Sequence, residues 1–204
     1  MVFLFIIFIF ACISAICFYS YKIKNIKIPS NIITVFCSSK NNIDEKYKII
    51  SMELIDRLDS NKIILAYGGN NGGLMSSVYN IYKKKEGRLI SVNYKKFAKT
   101  KNNYIFDTIE ERQNKLISLG NAYIILPGGL GTTYELFHVL VKNNIKDFKK
   151  RIYVLNIDGF FNNLINYIEE LNKNNFISGG IESTNMYISN NPQDLAFKIN
   201  NDII

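Results

Sequence analysis

Pro127, Gly128, Gly129, Gly131, Thr132 and Glu135 fall within one short stretch, LPGGLGTTYELFHVL, and combine residue types that could do chemistry. The apolar run before Pro127 reads as a strand, and the residues from Thr132 onward read as a helix. Glycines at such a junction let the backbone come close to a ligand, while the helix start aims free N–H groups and its positive dipole end at it. Gly128, Gly129 and Gly131, with the Thr132 hydroxyl, therefore read as a phosphate cradle. A second loop, YGGNNGGLM, places Gly68, Gly69, Gly72 and Gly73 before Leu74. Either loop alone could be only a tight strand-to-helix turn; two on one edge favour the cradle.

Glu135 follows Gly131 by four residues and is expected on the first helical turn. A carboxylate there is stabilised by the helix dipole, so capping explains it without chemistry. The functional alternative is a charge held beside a bound phosphorylated sugar. Arg112, on the preceding helical pattern, stays protonated; it can bind phosphate or polarise a leaving base but is a poor acid or base. Taken alone, such an arginine is more often a solvated helix residue. No G-x-G-x-x-G and no G-K-[ST] occurs, and the first strand ends in FCSSK, which disfavours NAD and nucleoside triphosphates. The single histidine, His138, cannot build a metal cluster. Cys12, Cys17 and Cys37 lack the spacing of a disulfide framework or a zinc site.

The elements that must position these residues alternate along the chain. Strands are predicted at 32–36, 63–67, 89–93, 122–126 and 152–155, with a short one near Tyr187. Helices are predicted at 44–58, 74–84, 109–119, from Thr132, over 160–172 and after Pro192. Residues 94 to about 103 read as a polar, lysine-rich loop. Continuous apolar strands alternating with helices indicate an α/β fold, a single doubly wound, Rossmann-like parallel sheet with helices on both faces. Ligands of such sheets bind outside the carboxyl ends of the strands, where strand order switches. Three loops fall at that edge: Cys37–Lys40, Gly68–Gly72 and Pro127–Gly131.

The chain has 204 residues, 48% hydrophobic and 21% charged, an ordinary globular composition with a formal charge of +8. Part of that charge belongs to a bias toward Asn, Lys and Ile that runs throughout, with 27 asparagines. No arginine-rich or aromatic-interleaved stripe supports a nucleic-acid partner. Residues 1–21 carry no charge and are followed by Lys22, Lys24 and Lys27. At about 1.5 Å per helical residue they reach roughly 31 Å, enough for a hydrocarbon core. They are expected to form an N-terminal hydrophobic helix, a single-pass membrane anchor with the C-terminal domain in the cytoplasm. A cleaved signal peptide is the alternative. The expected organisation is a transmembrane or signal-anchor segment over 1–21, a basic linker over 22–30, and one nucleotide-binding domain over 31–204.

With these residues in view, the chain resembles the Lonely Guy (LOG) proteins, cytokinin riboside 5′-monophosphate phosphoribohydrolases long mislabelled as lysine decarboxylases. The family's P-G-G-x-G-T-x-x-E is present as Pro127, Gly128, Gly129, Gly131, Thr132 and Glu135. Its arginine, in an E-R-K-x-x-M context, falls on Arg112 within ERQNKL. TVFCSS, YGGNNGGLM and VLNIDGFFNNLINYIEELNKNNFIS match as well, and the likeness spans about 32–199.

The resemblance implies hydrolysis of the N-glycosidic bond of a cytokinin or adenosine nucleoside 5′-monophosphate to free base and ribose 5-phosphate. In that reading Glu135 stabilises the positive charge that builds on the sugar or orients the attacking water. Arg112 holds the anionic or base end. Ser38, Ser39, Gly68, Gly69, Gly128, Gly129, Gly131 and Thr132 bind the substrate and its phosphate. No cofactor and no metal are implied, and a homodimer with the site near the interface is. Pyridoxal phosphate needs a Schiff-base lysine with supporting partners, and these loops offer none. Departures from the family pattern are Ser38 for a glycine, Gln113 for a lysine, Tyr134 for a glutamate, Lys142 for a tryptophan, and VNY after the third strand; they bear on base specificity more than on the reaction. The non-enzymatic alternative is a nucleotide-binding sensor on the same fold. A DNA-binding relative rests only on the charge.

Overall fold

The computed structural model describes residues 31–98, 102–145 and 149–203. Seven strands, β1 (Ile32–Phe36), β2 (Ile64–Tyr67), β3 (Arg88–Tyr94), β4 (Tyr104–Phe106), β5 (Ala122–Ile125), β6 (Arg151–Leu155) and β7 (Met186–Ser189), form one sheet in the order β4-β3-β2-β1-β5-β6-β7. Every pairing is parallel. The helices between them are α1 (Glu45–Asp56), α2 (Gly73–Lys84), α3 (Ile109–Leu119), α4 (Leu130–Asn144), α5 (Asn162–Lys173), α6 (Gly180–Ser183) and α7 (Pro192–Asp202).

Strand alternation divides the core. Ile33 and Val35 of β1 and Ile124 of β5 face a layer with Leu54 and Ile55 of α1, Val78 and Tyr82 of α2, and Leu195 and Ile199 of α7. Phe36, Tyr123 and Ile125 face the other side, with Leu116 and Ile117 of α3, Leu136 and Val139 of α4, and Ile168 of α5. Each such side chain stabilises the fold by about 1.5–3 kcal/mol on burial. The doubly wound arrangement predicted from the apolar runs is therefore found, with helices on both faces. Two elements lie outside the prediction: β4, a three-residue edge strand with exposed Tyr104 and Ile105, and the four-residue α6.

The membrane placement is corrected. The hydrophobic helix and anchor expected over 1–21, and the linker over 22–30, lie outside the described residues. Among the described residues no helix is long and apolar enough to cross a membrane. The longest described helix, α4, has 15 residues, or about 22 Å at 1.5 Å per residue against a ~30 Å hydrocarbon core. The single-pass localisation read from the leader is not supported by the structure and is withdrawn.

Candidate active site

Register brings the site together. Phe36 at the end of β1 pairs with Ile125 at the end of β5. Beyond them the Leu126 N–H donates to the Phe36 carbonyl at 2.9 Å, and the Ser38 N–H donates to the Pro127 carbonyl at 3.2 Å. The Cys37–Lys40 and Pro127–Gly131 loops thus leave the sheet side by side at the switch in strand order, where an open α/β sheet binds ligands. The loop after β2 is drawn in from the other side. Its Met75 N–H donates to the Ser38 carbonyl at 3.4 Å, and its Gly73 N–H donates to Asn41 Oδ1 at 2.7 Å. Between the three loops lies a cleft of about 530 Å³.

Arg112 reaches this cleft because α3 starts where it does. The Thr108 hydroxyl accepts from the Glu111 N–H at 3.2 Å and donates to the Glu111 carboxylate at 3.0 Å, capping the helix at Ile109. The Lys150 ammonium donates to the Gly120 carbonyl at 2.6 Å just past the other end. Thr34 Oγ1 donates to the Leu116 carbonyl, tying α3 to β1. So fixed, Arg112 Nη1 donates to Glu135 Oε1 at 2.7 Å, and both residues are buried. Gln113 Oε1 accepts from the same Nη1 at 3.5 Å, while Gln113 Nε2 is buried without a hydrogen-bond partner.

Glu135 is the sixth residue of α4, and the first turn carries no acidic residue. The capping explanation therefore fails: the carboxylate sits one turn deeper, facing Arg112. Burial pushes the Glu135 carboxyl above its ordinary range, and the Arg112 guanidinium opposes that rise. Cys37 also lines the cleft; burial, then the Glu135 charge, pushes its thiol up, so it stays protonated.

The glycines divide into two kinds. Gly129 and Gly131 line the cleft, and a Cβ on either meets no atom within 4 Å. Gly129 caps α4 without a side-chain hydrogen bond, so the first N–H groups of that helix are offered to the cleft beside Thr132. The other glycines serve the protein's own packing. A Cβ on Gly68 would lie 2.3 Å from Arg112 Nη2, and one on Gly128 would lie 2.1 Å from Thr132 Oγ1. Gly69 has a φ of +67°, and its carbonyl accepts from Asn93 Nδ2.

Of the residues singled out in sequence, Ser38, Ser39, Gly68, Arg112, Gly129, Gly131, Thr132 and Glu135 line one cleft. Gly69 lines an adjoining lobe, and Gly128 supports the loop from behind. Sequence reasoning missed Met75, Phe97 and Ile109, which form apolar walls. Their signal was weak, since each sits on an element whose other residues explain it. Lys40, the last residue of the Cys37–Lys40 loop expected at that edge, also lines the cleft.

These features invite comparison with known proteins. A family model described as possible lysine decarboxylase matches residues 61–199. The chain is 30% identical over 155 residues to the cytokinin riboside 5′-monophosphate phosphoribohydrolase LOG1 of Arabidopsis thaliana, covering 72% of each. The chain belongs to the LOG family. Another LOG protein, the cytokinin riboside 5′-monophosphate phosphoribohydrolase of Rhodococcoides fascians, is 28% identical over 160 residues, covering 74% of this chain and 80% of its own. Among solved structures, the molybdenum cofactor binding protein of Rippkaea orientalis superposes with a TM-score of 0.62 at 20% identity, over 87% of this chain and all of that one. That likeness shows the fold alone. The decarboxylase description does not suit the donor set of the described residues: Lys40 is exposed at the rim, and Glu135, the one carboxylate among the described residues that line the cleft, is held by Arg112. Among the described residues a Schiff-base lysine with a carboxylate for the pyridinium nitrogen is not assembled.

Proposed function

We propose that this chain hydrolyses the N-glycosidic bond of a nucleoside 5′-monophosphate with an adenine-type base, a cytokinin riboside 5′-monophosphate or AMP, giving free base and ribose 5-phosphate. The observation that carries the reading is the buried Arg112–Glu135 pair, set beside an uncapped helix start in one cleft. The LOG relatives named above support it.

The 5′-phosphate takes the N–H groups at the start of α4 and the Thr132 hydroxyl, for which no protein partner exists among the described residues. Breaking the bond builds positive charge on the ribose ring. Glu135 Oε1 is occupied by Arg112, and Oε2 is left for that charge or for the attacking water. Held in a low-dielectric setting, the carboxylate acts more strongly there than in water. Arg112 keeps it ionised and oriented, and its remaining N–H donors face the leaving base. Met75, Phe97 and Ile109 supply apolar surface for that base.

A homodimer completes the reading. Leu130, Tyr134, Val141 and Ile145 run down one side of α4 at 90%, 51%, 56% and 59% exposure. The stripe begins at the cleft, which Leu130 lines. A second copy seated on it covers this apolar surface and closes the site from outside.

The test is to incubate the protein with AMP and with isopentenyladenosine monophosphate and to separate the products by chromatography. Free base and ribose 5-phosphate should appear, and should vanish in Glu135→Gln and Arg112→Ala. A folded protein that binds both nucleotides and releases nothing would overturn the hydrolase.

A further inference from the structure

The end of β3 carries a polar side chain that the hydrolysis above leaves unused. Asn93, within the VNY segment, is 2% exposed and lines the cleft. Its two amide ends are told apart by what they meet. Oδ1 accepts from the Tyr94 N–H at 2.8 Å, and Nδ2 donates to the Gly69 carbonyl at 3.0 Å. Turning the amide over would set donor against donor and acceptor against acceptor, so its orientation is fixed. The amide nitrogen carries two hydrogens, and its second N–H takes no acceptor among the described residues. Asn93 therefore holds one spare donor, buried rather than facing bulk water, in a plane set by its other two bonds.

Strand order fixes which end of the cleft this donor serves. The start of α4 follows β5, and β3 lies three strands away along β3-β2-β1-β5. At about 4.8 Å per strand the separation is about 14 Å, the scale of a nucleoside monophosphate laid across the strand ends. Arg112 and Glu135 fall between these limits: a Cβ on Gly68, just after β2, would touch Arg112 Nη2, and Glu135 is bonded to the same guanidinium. With the phosphate at α4 and the sugar at Glu135, the base lies at β3, beside Asn93 and beside Phe97 of the short turn that follows it. Met75, Phe97 and Ile109 can hold the flat faces of a base without telling one base from another. A buried N–H in that wall does tell them apart, since leaving it unmatched is costly.

We propose that Asn93 reads the base: its spare N–H donates to one lone-pair acceptor on the base, a ring nitrogen of the purine. This rests on the nucleotide reading above. Bases that present an acceptor at that edge are selected, and those that present a C–H or N–H there are rejected. AMP and isopentenyladenosine monophosphate share every ring nitrogen, so Asn93 admits both, and discrimination between them falls to the apolar wall.

The test first deletes the acceptor from the ligand, which leaves the fold untouched. The full chain carrying Glu135→Gln, to prevent turnover, is titrated by calorimetry with AMP and with its 1-deaza, 3-deaza and 7-deaza analogues, each of which replaces one ring nitrogen by C–H. One analogue should bind at least about tenfold weaker than AMP, because the buried donor loses its acceptor, while the other two stay within about threefold. Asn93→Leu is then added. It should weaken AMP and spare the affected analogue, so that the two bind within about twofold of each other. Asn93→Asp, which keeps an oxygen facing the Tyr94 N–H, should close the gap in the same way and serves where leucine prevents folding. The proposal is overturned if no analogue loses affinity, if all three lose it alike, or if the tenfold gap survives in a folded Asn93 variant. Absence of AMP binding with Asn93 intact would instead sink the nucleotide reading, a separate failure.

Discussion

Arg112 Nη1 stands 2.7 Å from Glu135 Oε1, and the two residues come from helices on the same face of the sheet, 23 positions apart in the chain. Neither element alone can bury its charge. Taking one charge of such a pair away leaves the other uncompensated, which typically costs about 3–5 kcal/mol. Arg112→Ala should therefore lower the unfolding free energy by an amount in that range at neutral pH, read by denaturant unfolding. Glu135→Gln, which keeps an oxygen facing the guanidinium, should lose less stability and still abolish turnover. Equal losses in the two variants would show that the pair is not held as described.

The raised Glu135 carboxyl gives a pH signature with a definite sign. An acid whose folded-state value lies above its ordinary 4.5 binds its proton more tightly when folded. Its contribution to stability is greatest at low pH; it declines as pH rises from about the ordinary value and is fully lost above the folded value. Stability followed by thermal unfolding should carry this slope in the native protein and lack it in Glu135→Gln. The deficit of Arg112→Ala should likewise shrink on acidification, as the unpaired carboxyl takes up a proton. Because the ionised form is the working one, the acid limb of kcat should sit above the range of an ordinary carboxylate.

Two alanine substitutions separate packing glycines from cleft glycines. Gly131→Ala places its methyl in open space on the first turn of α4. It should leave stability unchanged or raise it by up to about 1 kcal/mol, as glycine is a poor helix former. Binding of a nucleoside monophosphate should nonetheless weaken by at least about tenfold, because the methyl occupies the approach to the helix start. Gly68→Ala instead collides with the Arg112 guanidinium. It should cut kcat, because the arginine must move.

Gln113 offers a prediction with opposite signs. Its buried Nε2 lacks a partner, and leaving such a donor unsatisfied costs about 1–3 kcal/mol. Gln113→Met, of similar shape, should raise the unfolding midpoint. It also removes the second acceptor from Arg112 Nη1, so kcat should fall. A variant that gains stability and keeps full activity would show that the amide does not help position Arg112.

The apolar stripe on α4 makes the assembly testable. Val141→Asp places a charge among Tyr134 and Ile145, far enough along the helix to spare the cleft. Sedimentation should show a dimer for the native chain and a monomer for the variant. A native monomer at micromolar concentration would remove the dimer from the reading.

Much of this was legible beforehand for physical reasons. The strands are continuous apolar runs such as IITVF and AYII, so their burial on both faces was written in composition. Arg112 and Glu135 could be named because the glycine loop between strand and helix marks the sheet edge that binds ligands. Their direct contact could not, since it depends on how α3 and α4 rotate against the sheet. Glu135 was placed one turn too early because the helix begins at Leu130, before the threonines that looked like its start. Strand β4 escaped notice because three half-exposed residues carry no alternation to read. The membrane reading went astray by assigning the whole chain a location from 21 residues that lie outside the described fold.

The backbone contact at Gly73 sets a limit on how this protein can change. With φ at +55° and a Cβ direction that runs into the Lys40 carbonyl at 2.5 Å, two loops from different strands are interlocked main chain to main chain. Neither can gain or lose a residue without a matching change in the other. Diversification of ligand choice is thereby channelled away from the glycine loops and toward the segment carrying Phe97, whose half-exposed side chain lines the cleft. A library aimed at new bases would do best to randomise there and leave the interlocked pair alone.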